Sequence, residues 1–199
     1  MITVDLLQSS PLDILIKAIR TCYDSKSDNL GEKDLALIKK IIASKHESTL
    51  EHIVFTFKIS NISRACLQEL ARHRIASYSV KSTRYTLKEL KNAPDNELEK
   101  FLIDDIPLAV KLVATSSLKR IKTMLNTSNP DMDKIKYALP ECYKTELVWT
   151  INARSLRNFL NLRISPKAHH EIRELARTIL AMLSYQSYGI LFEDIKTKE

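Results

Sequence analysis

The sequence predicts an α+β fold: a single domain over residues 1–199, with a small mixed or antiparallel sheet and several helices. Three observations lead there. Helix-type and strand-type segments are unevenly interspersed, without the regular βαβ alternation of a doubly wound sheet. Only two glycines, Gly31 and Gly189, occur in 199 residues, so no flexible linker divides the chain. The composition, 44% hydrophobic and 28% charged, is that of a globular chain able to bury one core.

Each element follows from its pattern. Residues 2–7 read as a strand. Pro11 opens a helix to about residue 23, with Leu12, Leu15, Ile16 and Ile19 on one face. A second helix, residues 32–45, carries Leu35, Ile38, Ile41 and Ile42 as its stripe. Residues 53–59 alternate Ile53, Phe55, Phe57 and Ile59, the period-2 signature of a half-buried strand. Residues 62–73 are expected to be helical, with Ile62, Cys66, Leu67, Leu70 and His73 on one stripe. Residues 74–85 show no apolar period and read as an ordered loop. Residues 96–126 are mostly helical, interrupted before Pro107, and Pro130 and Pro140 bracket a shorter helix. A strand is expected at residues 147–151, then helices at 153–164 and 167–183 separated by Ser165 and Pro166.

Composition narrows the function classes. The longest uncharged run, residues 178–192, falls short of the roughly 18 apolar residues of a membrane span. Residues 1–8 carry Asp5 and no basic leader segment, so a cytoplasmic location is expected, with no membrane partner. The net charge of +7 suits anionic partners, whether nucleic acid or nucleotides and phosphorylated cofactors. Cys22, Cys66 and Cys142 are too far apart for metal-ligand spacing and odd in number, and read as buried free thiols. With two isolated glycines neither a dinucleotide-binding glycine loop nor a Walker A loop is possible. Phosphates would have to be held by arginines, lysines and helix ends.

Two blocks carry that chemistry. The first runs from Arg72-His73-Arg74 through Ser82-Thr83-Arg84, with Glu69 on the same helix flank as Arg72 and Lys81 in the hydroxyl-rich loop. Guanidinium forks beside hydroxyls suit phosphate. A solvated basic loop with a core histidine would give the same spacing. The second block, residues 152–163, puts Arg154, Arg157, Asn158 and Asn161 on one helix face that holds no carboxylate of its own. Asn152 is placed to cap that helix, whose N-terminus would favour an anion. Arg163 falls opposite, among Leu156, Phe159 and Leu160, where it needs an anionic or accepting partner unless it snorkels out past the helix end. His46 and His52, six apart, lack metal spacing and read as part of a capped turn.

Arg72-His73-Arg74 followed by Ser77, Ser82 and Arg84 resembles the R-H-R-x-x-S-x-x-x-x-S-x-R signature of the flavin-dependent thymidylate synthases. Residues 152–163, and His46-Glu47-Ser48 with Glu51-His52, are similar to two further motifs of that family, in the same order. The resemblance implies a homotetramer with FAD where subunits meet. It implies flavin contacts by Ser48 (from a neighbouring subunit), Arg72, His73, Arg74, Asn152, Arg154 and Asn158, with Ala153 contributing backbone. It places dUMP against Glu69, Leu70, Ala71 and Arg72 and against Val80, Lys81, Ser82, Thr83 and Arg84. Lys136 stands where the family often has an arginine for the nucleotide, and Arg163 would face the uracil. The family usually has Asn-Glu where this chain has Ser79-Val80, so a carboxylate contact is lost and Val80 and Lys81 could serve only through backbone.

The implied reaction is methylation of dUMP to dTMP, with methylenetetrahydrofolate giving the carbon and NADPH reducing FAD. No cysteine sits in a base or cation motif of the kind that makes a thiolate nucleophile. Arg163 is the expected catalytic group, stabilising the pyrimidine anion. No metal is expected and no nucleic-acid partner, although a basic nucleic-acid-binding protein on a related scaffold is the competing reading. A flavoprotein that kept the scaffold and lost dUMP specificity is a third.

Overall fold

The computed structural model of the chain describes residues 1–24 and 31–196. In chain order the elements are β1 (Thr3–Ser9), α1 (Leu12–Cys22), α2 (Glu32–Ala43), β2 (Val54–Ser63), α3 (Arg64–Leu70), β3 (Ala76–Val80), α4 (Thr83–Asn92), α5 (Leu108–Leu125), α6 (Met132–Ile135), β4 (Lys144–Asn152), α7 (Ala153–Arg163) and α8 (His170–Ser184). Short 3-10 turns at Glu47–His52, Asp95–Phe101, Lys136–Ala138 and Ser187–Leu191 complete the described chain. The strands form one small antiparallel sheet in the order β1-β2-β4-β3, so the mixed helix-and-sheet class holds. No helix among the described residues is long and apolar enough to cross a membrane.

The described residues divide into two compact units. The first comprises Met1–Thr3, Ile59–Ala71 and Ser79–Leu147. Its core is a cluster of Leu87, Leu90, Leu98, Leu118, Ile121 and Tyr143, against which Phe101 stacks on Tyr143 at 6.0 Å between ring centroids. Burial pushes the Tyr143 phenol up to about 12, and its hydroxyl donates to the Thr86 carbonyl at 3.3 Å.

The second unit comprises Val4–Lys58, Arg72–Tyr78 and Val148–Glu199. Phe57 and Phe159 flank Trp149 at centroid separations of 6.1 and 5.1 Å, and all three rings are fully buried. Ile172, Leu175, Ala176, Ile179 and Leu183 form the buried stripe of α8 at helical spacing. Each leucine and isoleucine of that stripe contributes about 1.5–3 kcal/mol by leaving water.

Three expectations are corrected. α3 stops at Leu70, so His73 lies beyond the helix, and the Tyr78 hydroxyl donates to the His73 carbonyl at 2.6 Å as the chain turns into β3. Residues 74–85 are not a loop: β3 occupies Ala76–Val80, and Ser82 caps α4 by accepting from the Arg84 N–H at 3.3 Å. β3 is the end strand of the sheet and only partly covered, so it lacks the apolar alternation that marks a strand. The three cysteines are not in disulfides, but only Cys66 is buried; Cys22 is exposed at the end of α1 and Cys142 half-covered.

Candidate active site

One cavity in the second unit, of about 1020 Å³, gathers much of what the sequence singled out. Arg72, His73 and Arg74 line it from the turn before β3; Asn152, Arg154, Asn158 and Arg163 line it from the start and length of α7; Glu47 and Glu51 reach it from the 3-10 turn before β2. With Arg157 also in its wall, five arginines face two glutamates, an excess of fixed cations fit for a polyanionic ligand. The volume stands at the upper end of the roughly 300–1,000 Å³ of small-molecule sites, as a dinucleotide needs.

Local folding sets each side chain. Asn152 ends β4 and caps α7, its Oδ1 accepting from the Ser155 N–H at 2.8 Å, as its position predicts. Arg163 closes the other end of α7. Leu156, Phe159 and Leu160 are fully buried, while Arg163, one to two turns further along the same face, is half-buried. Its Nε donates to Nε2 of His73 at 2.9 Å, and the His73 ring stands edge-on to Phe159 at 5.0 Å. The imidazole thus presents a lone pair to Arg163 and fixes the guanidinium on the cavity wall.

The arginine face of α7 is neutralised from elsewhere in the chain, contrary to the bare helix-wheel reading. Arg154 donates to Glu51 at 2.6 Å. Arg157, only 4% exposed, donates to Glu47 at 3.1 Å, to both oxygens of Asp194 at 2.8 and 2.6 Å, and to the Leu191 carbonyl. Burial alone would push the Arg157 guanidinium pKa down; its hydrogen bonds to Asp194 and Glu47 outweigh that and hold the pKa above the ordinary value. The same bond to Arg157 holds the Asp194 carboxyl below its usual range.

Two residues expected at this cavity do not line it. Ala153 is fully buried, and its N–H is spent on the Ile53 carbonyl at 2.7 Å, leaving that backbone donor unavailable to a cofactor. Ser48 is exposed on the 3-10 turn and is absent from the lining within its own chain.

The residues expected at the nucleotide are split between the units. Arg72 and Arg163 belong to the second; Glu69, Leu70, Ala71, Val80, Lys81, Ser82, Thr83, Arg84 and Lys136 belong to the first. Leu70 is fully buried, while Ala71 and Val80 are exposed. Lys81 is committed inside the chain: its N–H donates to the Glu146 carbonyl at 2.9 Å, and its ammonium sits 3.0 Å from Glu89 and 3.4 Å from Glu146. Hydrogen bonding to Glu89 raises the Lys81 pKa. Arg84 and Lys136 come together through Asp133, at 2.6 and 3.6 Å. No group of three or more His, Cys, Asp or Glu side chains among the described residues could hold a metal ion.

Residues 5–186 match the family model of the thymidylate synthase complementing proteins. The chain belongs to this family. Curated relatives named flavin-dependent thymidylate synthase include one from Wolinella succinogenes, 53% identical over 188 residues, spanning 89% of this chain and 91% of the relative. Another, from Campylobacter jejuni, is 45% identical over 205 residues and spans 98% of each chain. The fold is similar to that of thymidylate synthase X from Helicobacter pylori, crystallised with FAD and dUMP: the TM-score is 0.90, with 39% identity covering 98% of this chain and 100% of that one. A second structure of the Helicobacter pylori enzyme with FAD and dUMP gives a TM-score of 0.88 at 42% identity, covering 97% of this chain and 99% of that one.

Pattern reading missed Glu47, Glu51, Asp133 and Asp194 as partners of the site arginines. The arginines of α7, on a helix that carries no carboxylate of its own, were the available signal, since a buried guanidinium demands an acceptor.

Proposed function

We propose that this chain carries out the reductive methylation of dUMP to dTMP, with methylenetetrahydrofolate as carbon donor, NADPH as reductant and FAD as bound cofactor. The single observation carrying this reading is the arginine-rich cavity that brings Arg72, His73, Arg74, Asn152, Arg154, Asn158 and Arg163 together without any glycine loop. Its donor set, guanidinium and amide N–H with few competing carboxylates, fits FAD. Arg72, Arg74 and Arg154 would hold the diphosphate, and Asn152 and Asn158 would donate to ring or ribose acceptors. When bound, FAD supplies hydride chemistry between NADPH and the nucleotide carbon. Ser48 would complete the site in a neighbouring subunit of a homotetramer. We read residues 1–199 as one catalytic domain acting in the cytoplasm, where its nucleotide, folate and NADPH substrates are found.

The nucleotide would be held by Glu69, the backbone of Leu70 and Ala71, Arg72, the backbone near Val80 and Lys81, and Ser82, Thr83, Arg84 and Lys136. Uracil C5 is a weak nucleophile in neutral dUMP, so the ring must be attacked at C6 or deprotonated at N3. None of the three cysteines lines the arginine-rich cavity, which disfavours attack at C6 by a thiolate. Arg163 on the wall of that cavity would stabilise the ring anion, delocalised from N3 and the carbonyl oxygens to C5, and His73 would keep its guanidinium oriented.

The purified protein should be yellow, with the absorbance of oxidised flavin, and should oxidise NADPH in a dUMP-stimulated way. A colourless protein with strong, salt-dependent affinity for DNA or RNA would refute this reading and favour the nucleic-acid alternative. Flavin absorbance without stimulation by dUMP would leave a flavoprotein that lost its nucleotide specificity.

A further inference from the structure

We propose that Asp133 is a displaceable stand-in for the nucleotide phosphate, holding Arg84 and Lys136 in register until the phosphate replaces it. This inference rests on the dUMP-binding reading above and adds to it a residue that sets how tightly the phosphate is held.

The geometry is that of an occupied anion site. Arg84 uses the edge of its guanidinium that would grip a phosphate, Nε to Oδ1 at 3.1 Å and a terminal nitrogen to Oδ2 at 2.6 Å. This is the two-point fork shared by carboxylates and phosphates. Lys136, three residues on from Asp133 at the end of α6, points its ammonium at the same Oδ1 from 3.6 Å. Two cations thus converge on one carboxylate, leaving a positive excess for an incoming dianion.

Neighbouring acidic groups are otherwise engaged. Asp131 caps α6, its Oδ1 accepting from the N–H groups of Asp133 and Lys134 at 3.1 and 3.2 Å, and it pairs with the Lys134 ammonium at 3.2 Å. Asp133 contributes only its backbone N–H to that cap, so exchanging its carboxylate for an amide leaves the helix start intact. The side chains of Arg84 and Asp133 are 64% and 50% exposed, which keeps the pair solvent-screened and weak. A phosphate dianion has more charge and three oxygens to offer, and can therefore win the exchange. The carboxylate keeps Arg84 and Lys136 ordered between turnovers and loosens the grip on the nucleotide.

The test is calorimetric titration of the flavin-loaded protein with dUMP and, separately, with deoxyuridine, which lacks the phosphate. Asp133→Asn should bind dUMP about two- to fivefold more tightly than wild type, the scale of one exposed ion pair. Deoxyuridine affinity should be unchanged, and Asp133→Glu should restore the wild-type value for dUMP. Wild type that binds dUMP while Asp133→Asn binds it no tighter overturns the stand-in alone. An equal shift for deoxyuridine also overturns it, because the effect would then be structural. Wild type that fails to bind dUMP overturns the functional reading and this inference with it.

Discussion

Arg157 offers the sharpest quantitative test, because the structure gives every term of its removal. Its side chain is 5% exposed, whereas the Asp194 and Glu47 side chains it grips are 54% and 27% exposed. Truncating one member of a buried ion pair costs about 3–5 kcal/mol when the partner charge is stranded. Here both carboxylates can rehydrate, so that term falls towards the lower end. The carbonyl of fully buried Leu191 also loses a donor, which adds about 1 kcal/mol or more. We therefore expect Arg157→Ala to lose about 4 kcal/mol, lowering the thermal midpoint by roughly 8–16 °C for a chain of this size. The assay is differential scanning calorimetry at fixed protein concentration, without added FAD, since ligand and assembly both shift the midpoint by mass action. Arg157→Lys should lose less, retaining the charge without the fork. A loss below about 1 kcal/mol for the alanine variant would refute the view that this guanidinium ties Glu47 and residues 191–194 to α7.

Other outcomes follow from the same geometry. Arg163→Ala should lower kcat by about 100- to 1000-fold, the scale of a lost electrostatic stabiliser, with the flavin spectrum retained; full activity would remove Arg163 from the chemistry. Ser82→Ala should raise the KM for dUMP and, through its lost cap on α4, cost about 1 kcal/mol of stability; complete loss of turnover at saturating dUMP would instead mark Ser82 as a nucleophile. For Asp194, hydrogen bonding to Arg157 depresses the folded-state pKa. Its stabilisation is therefore fully present above the ordinary carboxylate value and lost as pH falls through the folded value. The stability gap between wild type and Asp194→Asn should be constant near neutrality and close below about pH 4; a gap unchanged at about pH 3 would contradict the pairing.

The legible parts of the fold share one property: their signal is local. The helix from Pro11, the stripe of α8 and the cap at Asn152 each rest on neighbours within a few residues. The end strand β3 was illegible, since its residues are held by backbone pairing and only partly covered. At the site, the cations could be read from sequence and their counter-ions could not. Arg154 meets Glu51 across 103 positions, Arg84 meets Asp133 across 49, and Arg157 meets Asp194 across 37. Long-range pairing also decides Arg163, whose partner His73 lies 90 positions away, and so turns an apparently stranded guanidinium into an oriented one.

The cap on α7 narrows what Asn152 can say to a ligand. With its carbonyl oxygen turned towards the Ser155 N–H, the side chain has its two amide hydrogens to offer, so it favours a ligand acceptor over a protonated nitrogen. Exchange for aspartate would preserve the helix start while inverting that preference, separating in one residue the grammar of folding from the grammar of recognition.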